Sequence, residues 1–182
     1  MNLRICDRLR LQTIDRWHMA VVHPKQTVAS HSYSVAMIAR YILQKGGYNR
    51  HVQVAALELA LDHDVIECLT GDIPSPAKLY LKDIGIDINR EFDKLTKLPE
   101  IDIKTATGFS VKAADKIDTL TYLQSYGVGP ISHRLSTRLH SQLSRWFAEM
   151  SDTRYVMEEI AELAGVAREV WIEISEGQVT FL

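Results

Sequence analysis

The sequence has few of the features that mark secreted or membrane-embedded proteins. Only two of its 182 residues are cysteine, Cys6 and Cys68, which gives no disulfide framework and no cysteine-based metal site. No apolar run approaches the roughly 18 residues that cross a membrane. Charged residues interrupt the apolar ones throughout the first 20 positions, which argues against a signal peptide. We therefore expect a cytoplasmic protein with no membrane partner.

The chain also lacks an excess of either charge. Its 21 Lys and Arg residues face 23 Asp and Glu residues, and the formal net charge is −2. A general nucleic-acid-binding protein is normally strongly basic, so we expect no nucleic-acid polymer as a partner. A small anionic substrate stays compatible, because a few local cations can outweigh the net charge. Apolar residues make up 46% of the chain, enough for a buried core, and the length predicts a single domain over residues 1–182.

What the sequence does have is helical periodicity, with apolar residues recurring every three or four positions. The predicted helices span residues 3–14, 30–45, 50–63, 77–84, 104–126, 131–150 and 152–164. Ser30 is the expected N-cap of the second helix. Gly71 to Pro76 is expected to form a rigid loop, because its two prolines cannot continue a helix. Residues 178–181 are expected to form a short strand or a docked tail. The pattern predicts an all-α helical bundle.

One predicted helix carries a continuous apolar stripe. Its members recur every four residues, and they are Ile131, Leu135, Leu139, Leu143 and Phe147. Such a stripe usually packs into the core of its own domain, and contact with another subunit is the alternative.

Side chains able to bind a divalent cation occur at separate places along the predicted helices. His31 lies early in the second helix, His63 and Asp64 end the third, and Asp115 lies in a later one. Two imidazoles and two carboxylates suit a first-row divalent cation and leave positions open for water and substrate. Adjacent residues point about 100° apart on a helix, so the His63–Asp64 pair needs ligands from other helices. Taken singly, these side chains are more often capping or core histidines and surface aspartates.

Two more carboxylates follow the His63–Asp64 pair. Glu67 is expected on the same helix face, three and four residues further on, and Asp72 returns toward the same place after Gly71. A carboxylate there could orient or deprotonate an attacking water molecule. Acidic groups and imidazoles that converge on an apolar helix are costly unless a cation or a function compensates them.

The order of these residues is the H…HD…D signature of the HD-domain metal phosphohydrolases. The run HDVIECLTGDIPSPAK over residues 63–78, together with Arg16-Trp17 and Ser30-His31-Ser32, resembles the bacterial 5′-deoxynucleotidases. It also resembles their short phage relatives, the dATP triphosphohydrolases of phages that replace adenine with 2-aminoadenine. The resemblance covers roughly residues 5–125. It implies an HD-domain helical bundle and hydrolysis of a phosphate ester at a deoxynucleoside 5′ oxygen.

The resemblance also implies a metal centre. Its ligands would be His31, His63, Asp64 and Asp115. Asp118, one turn after Asp115, is the alternative ligand at the last position. One divalent ion is expected, and a mixed His and Asp site leaves Zn, Co and Mn open. Ser30 stands where the family often has an acidic residue, so the sequence departs from the family pattern beside the first ligand.

Further roles follow from the same motifs. Glu67 and Asp72 would be the catalytic carboxylates. Arg16 and Lys78 would bind phosphate, for which a planar guanidinium is well matched. Trp17 would pack on the sugar or the base. Beside the Arg16-Trp17 motif, Met19 is predicted to shape an apolar pocket for a purine.

We predict that the chain cleaves dATP to deoxyadenosine and triphosphate, because Arg16, Lys78 and Lys82 could contact a polyphosphate. The first alternative is a 5′-deoxynucleotidase that acts on dNMPs. The second is a non-catalytic nucleotide- or metal-sensing HD module, which would be expected to have lost a ligand or Glu67. Relatives are usually homo-oligomers, so a homo-oligomer is expected, in the host cytoplasm if a phage encodes it.

Overall fold

The computed structural model describes residues 3–88, 90 and 101–179, and it is helical along most of that length. The elements are α1 Ile5–Leu9, a 3₁₀ turn Arg10–Thr13, α2 Val28–Lys45, α3 Arg50–Asp62, α4 Glu67–Thr70, α5 Ser75–Asp83, α6 Ala106–Tyr126, α7 Gly129–Met150 and α8 Glu158–Val179. Two isolated β-bridges pair Asp15 with Thr27 and Val22 with Gly127, and no β-strand forms within the described residues. The predicted all-α class is confirmed.

The start of α2 differs from the prediction. Thr27, not Ser30, is the N-cap, and the helix begins two residues earlier than expected. The Thr27 hydroxyl accepts a hydrogen bond from the Ser30 N–H at 3.2 Å, and the Ser30 hydroxyl accepts one from the Thr27 N–H at 3.1 Å. This reciprocal pair satisfies two helix-end donors at once. Ser30 was therefore wrongly assigned as the cap, because either hydroxyl fits that pattern in the sequence.

Other boundaries also move. The predicted helix over 3–14 is divided into α1 and the 3₁₀ turn, and the one predicted from 152 begins at Glu158. Helix α5 begins at Ser75, because Pro76 occupies an early position where its missing N–H costs nothing. The end of the chain is not a strand as far as Val179, where α8 ends. Residues 180–182, 89 and 91–100 lie outside the described part.

Alanines line the contacts between the helices that carry the site. Helices α2, α3 and α6 pack against one another. The fully buried alanines on these three helices are Ala39, Ala56, Ala60, Ala113 and Ala114. Small side chains at a helix contact shorten the distance between the helix axes. Polar residues that these helices carry are thereby brought within reach of one another.

Larger side chains fill the core between α6, α7 and α8. The rings of Phe109 and Trp146 stack with their centroids 5.3 Å apart, and Phe147 stacks on Trp171 at 5.9 Å. Among the described residues, none of the helices combines the length and the apolar content that crossing a membrane requires.

The apolar stripe of α7 is buried along only half of its length. Leu143 and Phe147 are core residues, whereas Ile131 at the other end is 56% exposed. The core interpretation is therefore confirmed for the second half of the stripe and is wrong for Ile131.

This division makes a stability prediction. Leu143→Ala should lower the free energy of unfolding by about 2–5 kcal/mol, because Leu143 is 3% exposed and its loss leaves a cavity. Ile131→Ala removes a similar side chain from the same stripe and should change the free energy of unfolding by less than about 0.5 kcal/mol. Urea unfolding measures both. Equal losses would mean that another subunit covers Ile131.

Candidate active site

Four predicted ligand residues from three parts of the fold meet at one place. His31 is fully buried in the first turn of α2, and its Nε2 atom lies 3.7 Å from Asp64 Oδ2 and 3.4 Å from Asp115 Oδ1. His63 Nε2 lies 3.2 Å from the same Asp64 oxygen. Ligand atoms of His31, His63 and Asp64 all lie within 4.8 Å of one another. The structure therefore brings the four side chains together.

The His63–Asp64 pair does not lie on a helix, which corrects the expected geometry. Helix α3 ends at Asp62, and the chain turns through the next residues before Glu67 opens the short helix α4. Because of this turn, neighbouring side chains can face the same point instead of diverging by about 100° as on a helix. The prediction that Glu67 continues the same helix face was therefore wrong, although Glu67 is still buried.

The hydrogen bonds of the two imidazoles leave the same nitrogen free in both. His63 Nδ1 is 2.6 Å from the Ala60 carbonyl oxygen, and His31 Nδ1 is 2.6 Å from Asp118 Oδ2. Each of these oxygens accepts a hydrogen bond, so Nδ1 carries a proton and Nε2 presents its lone pair when the ring is neutral. Within the described residues both Nε2 atoms are buried without a hydrogen-bond partner. Buried lone pairs beside carboxylates fit a divalent cation.

The charges in the site balance one another. Burial alone would lower the pKa of His63, but Asp64 and Asp115 outweigh burial and raise that pKa to about 9. Without a cation His63 thus holds a proton in the place where a metal would compete with it. Burial alone would raise the pKa of Asp64, but His63 and His31 outweigh it and hold that pKa below its usual range.

Lys112 stabilises the charged form of Asp115. Its Nζ atom lies 2.8 Å from Asp115 Oδ2, one turn away on α6. Burial alone would raise the pKa of Asp115, but Lys112 and His31 hold it well below its usual range. Sequence reasoning missed Lys112, although its spacing of three residues from Asp115 was a usable signal.

Glu67 is a buried carboxyl group on the α4 side of the site. Its Oε2 atom has no hydrogen-bond partner among the described residues, and Lys78 Nζ lies 3.5 Å from Oε1. Burial, with the charges of Asp64 and Asp72, raises the pKa of Glu67 to about 8. Gly71 has φ of 72°, a backbone conformation that favours glycine, where the chain reverses before Asp72. The structure therefore groups Glu67, Asp72 and Lys78 beside the four predicted ligands.

Arg16 and Trp17 share one hydrogen-bond acceptor beside the site, the side chain of Gln26. Arg16 Nη1 and Trp17 Nε1 both donate to Gln26 Oε1, at 3.1 and 3.0 Å. Trp17 has φ of 71°, a strained conformation for a bulky residue. Its ring lies nearly parallel to Tyr122, with centroids 6.4 Å apart. Met19, two residues further on, is 59% exposed, and its pocket role stays a prediction.

Two buried polar residues join these groups. Asp118 contacts Nδ1 of His31 and not Nε2, so it lies behind the imidazole, and Asp115 is the carboxylate on the Nε2 side. Gln26 donates from Nε2 to the same Asp118 oxygen at 2.8 Å. The sequence offered Asp118 only as an alternative ligand and gave no signal for Gln26, because that contact spans 92 residues.

Comparison with known proteins agrees with this arrangement. Residues 8–94 match the family model described as 5′-deoxynucleotidase YfbR-like. The chain is 30% identical over 142 residues to the dATP triphosphohydrolase of Acinetobacter phage SH-Ab 15497, covering 69% of each protein. The chain belongs to the same family as this phage dATP triphosphohydrolase.

Two further comparisons concern a bacterial relative and a solved structure. The 5′-deoxynucleotidase YfbR of Escherichia coli O127:H6 is 34% identical over 95 residues, or 50% of this chain and 45% of that protein. Cyanophage S-2L HD phosphohydrolase (DatZ), solved with dA and one catalytic Zn²⁺ ion, superimposes with a TM-score of 0.72. That match covers 96% of this chain and 98% of the other at 23% identity. It confirms the predicted HD-domain helical bundle.

The unpaired imidazole nitrogens make a binding prediction. Co²⁺ or Zn²⁺ at about 100 times its Kd should stabilise the protein by about 2.7 kcal/mol and raise Tm by about 5–10 °C. His63→Ala removes one of the two free Nε2 atoms and should abolish that rise. His51→Ala, an exposed histidine of α3, is the matched control. Scanning calorimetry with and without a chelator measures the shift, and an undiminished rise in His63→Ala would contradict the assignment.

Proposed function

We propose that this protein hydrolyses the 5′ phosphate ester of deoxynucleotides with one divalent metal ion, and that dATP is its preferred substrate. The products would be deoxyadenosine and triphosphate. The observation that carries the proposal is the pair of buried, unpartnered Nε2 atoms of His31 and His63 facing Asp64. The dATP triphosphohydrolase activity named for its phage relative supports the substrate.

The residues that would hold the ion are His31, His63, Asp64 and Asp115. Zn²⁺, Co²⁺ and Mn²⁺ all suit this donor set. When bound, such an ion supplies Lewis acidity to the phosphate under attack. Nδ1 hydrogen bonds hold both imidazoles in the tautomer that presents Nε2.

Glu67 is suited to proton transfer. Its pKa of about 8 lets the carboxyl group both hold and release a proton near neutral pH. Its unpartnered Oε2 atom can take a proton from the attacking water and return one to the leaving 5′ oxygen. Asp72 contributes by helping to keep the pKa of Glu67 high. We therefore propose Glu67 and Asp72 as the catalytic carboxylates, the roles that the sequence motif predicts.

Arg16 is suited to bind the substrate phosphate. Its guanidinium donates to Gln26 through Nη1 and to Thr119 through Nη2 at 3.4 Å. A guanidinium has five N–H donors, so others remain for phosphate oxygens. Lys78, 3.5 Å from Glu67, would be a second cation for the phosphates, and Trp17 would pack on the sugar or base.

A second candidate function is the removal of phosphate from dNMPs. It is favoured by the YfbR identity of 34% and by the family model, both of which cover about half of the chain. A monophosphate needs fewer cations than a triphosphate. The effect of Lys78 on the KM for each substrate therefore distinguishes the two functions. The third hypothesis, a non-catalytic sensing module, has less support, because all four predicted ligands and Glu67 are present and grouped together.

Three further properties of the protein are proposed, namely its domain content, its oligomeric state and its location. We propose one domain over residues 1–182, a homo-oligomer, and a cytoplasmic location, in the host if a phage encodes the protein. No partner other than the deoxynucleotide is proposed.

Product analysis tests the function directly. The metal-loaded protein is incubated with each dNMP and dNTP, and with AMP and ATP, and the products are separated by anion-exchange chromatography. Deoxyadenosine with intact triphosphate from dATP is the expected result, with little release from ATP. Phosphate from dNMPs alone would favour the second candidate, and no product from any nucleotide would overturn both.

The role of Glu67 makes a kinetic prediction. Glu67→Gln should lower kcat by about 10²–10⁴, because an amide cannot exchange the proton. KM and metal content should change little. Glu58→Gln, on the exposed surface of α3, is the matched control. Steady-state kinetics measures the effect, and a normal kcat in Glu67→Gln would exclude this residue from proton transfer.

Lys78 makes a prediction about the polyphosphate. Lys78→Ala should raise KM for dATP by about tenfold or more, as expected when a charged hydrogen bond is lost. It should raise KM for dAMP much less. Lys104→Ala changes an exposed lysine outside the site and should change neither. Equal effects on dATP and dAMP would favour the monophosphatase.

A further inference from the structure

Gln26 is a buried amide that contacts both sides of the site. It is 2% exposed and lies two residues before the start of α2. Its Nε2 atom donates to Asp118 Oδ2 at 2.8 Å. Its Oε1 atom accepts from Arg16 Nη1 at 3.1 Å and from Trp17 Nε1 at 3.0 Å. One side chain therefore joins the proposed substrate side to the proposed metal side.

The chemistry of these partners requires an amide between them. Arg16 and Trp17 carry only donors, whereas the ionised carboxylate of Asp118 carries only acceptors. The side chain between them must accept on one side and donate on the other. A carboxylate at this position would face Asp118 without a donor, and an apolar side chain would leave the Trp17 N–H without its acceptor and would remove one hydrogen bond each from Arg16 and Asp118.

The backbone holds Gln26 in place for this role. The Arg16 N–H donates to the Gln26 carbonyl oxygen at 2.8 Å, and the Val28 N–H donates to the Ile14 carbonyl at 2.9 Å. These bonds pair the two segments on either side of the Asp15–Thr27 bridge. These backbone hydrogen bonds therefore fix the position from which the Gln26 side chain projects.

Asp118 continues the path to the metal side. The oxygen that accepts from Gln26 also accepts from His31 Nδ1 at 2.6 Å. The opposite nitrogen of His31 faces Asp64 and Asp115. Gln26 thus acts on the orientation of His31 through one intervening carboxylate.

We propose that Gln26 is a positioning residue that orients Arg16 and Trp17 toward the substrate and, through Asp118, orients His31 toward the metal ion. The substrate side of this inference rests on the proposed function. The metal side does not, because it is measured by ion binding alone.

The metal side is tested with Co²⁺, whose affinity is followed by its visible absorption. Gln26→Met keeps the size of the side chain and removes all three hydrogen bonds. It should weaken Co²⁺ binding, but by less than the roughly 10–100-fold usual for losing a group bonded directly to a ligand, because Asp118 stands between Gln26 and His31. Gln53→Met removes a half-buried amide that bonds the Tyr48 carbonyl and should leave Co²⁺ affinity unchanged. Wild-type affinity in Gln26→Met would overturn the proposal.

Transmission through the amide is tested with Trp17→Phe, which removes the indole donor and keeps an aromatic ring. By itself it should weaken Co²⁺ binding about threefold, although Trp17 contacts no proposed ligand. In the Gln26→Met background it should have no further effect, because the path is already broken. Additive effects would overturn the proposal. Where Gln26→Met does not fold, as judged by circular dichroism, Trp17→Phe alone carries the test, and unchanged affinity would overturn it.

The substrate side is tested by kinetics at saturating Co²⁺. Gln26→Met should raise KM for dATP by about tenfold, because Arg16 loses the acceptor that orients it. An unchanged KM would overturn this side. If the wild-type protein hydrolyses no nucleotide, the proposed function fails, and the Co²⁺ measurements still decide the metal side.

Discussion

The arrangement of this site depends on two hydrogen bonds made by buried imidazoles, from His63 to the Ala60 carbonyl and from His31 to Asp118. In each bond Nδ1 donates its proton, and Nε2 is left facing the carboxylates. The remaining electrostatics follow from that choice, since the carboxylates must stay ionised beside the imidazoles. Lys112 secures this for Asp115, and His63 takes up a proton while no metal is present. A cation that enters the site therefore displaces a proton that was already held there.

The contacts of His31 with Asp64, Asp115 and Asp118 require α2, the end of α3 and α6 to approach closely, and the alanines between these helices allow it. With larger residues at Ala39, Ala60 or Ala114, the axes of α2, α3 and α6 would lie further apart. His31 would then lose its contacts with Asp64 and Asp115. The small residues of the core are thus needed for the charged residues of the site to meet. A change in the volume of a core side chain would therefore change the distances between the proposed metal ligands.

Much of this could be predicted from the sequence, because the information was local. Apolar periodicity predicted the helices, and the HD run over residues 63–78 predicted which side chains would meet. What could not be predicted was how short segments turn. Either Thr27 or Ser30 fits a cap, and nothing in the pattern says that α3 ends at Asp62. Gln26 was missed for a different reason, since its partners Arg16 and Asp118 are a neighbour across a β-bridge and a residue 92 positions away.

The left-handed backbone at Trp17 lowers the stability of the protein at a residue proposed to contact the substrate. A bulky residue with φ of 71° costs on the order of 1–3 kcal/mol, whereas glycine adopts that conformation freely. Replacing Trp17 with glycine would relieve this strain but would delete the indole that bonds Gln26 and stacks near Tyr122. Selection for heat resistance alone would therefore favour discarding this ring. A strained conformation kept at a residue proposed to contact the substrate is an example of stability exchanged for activity.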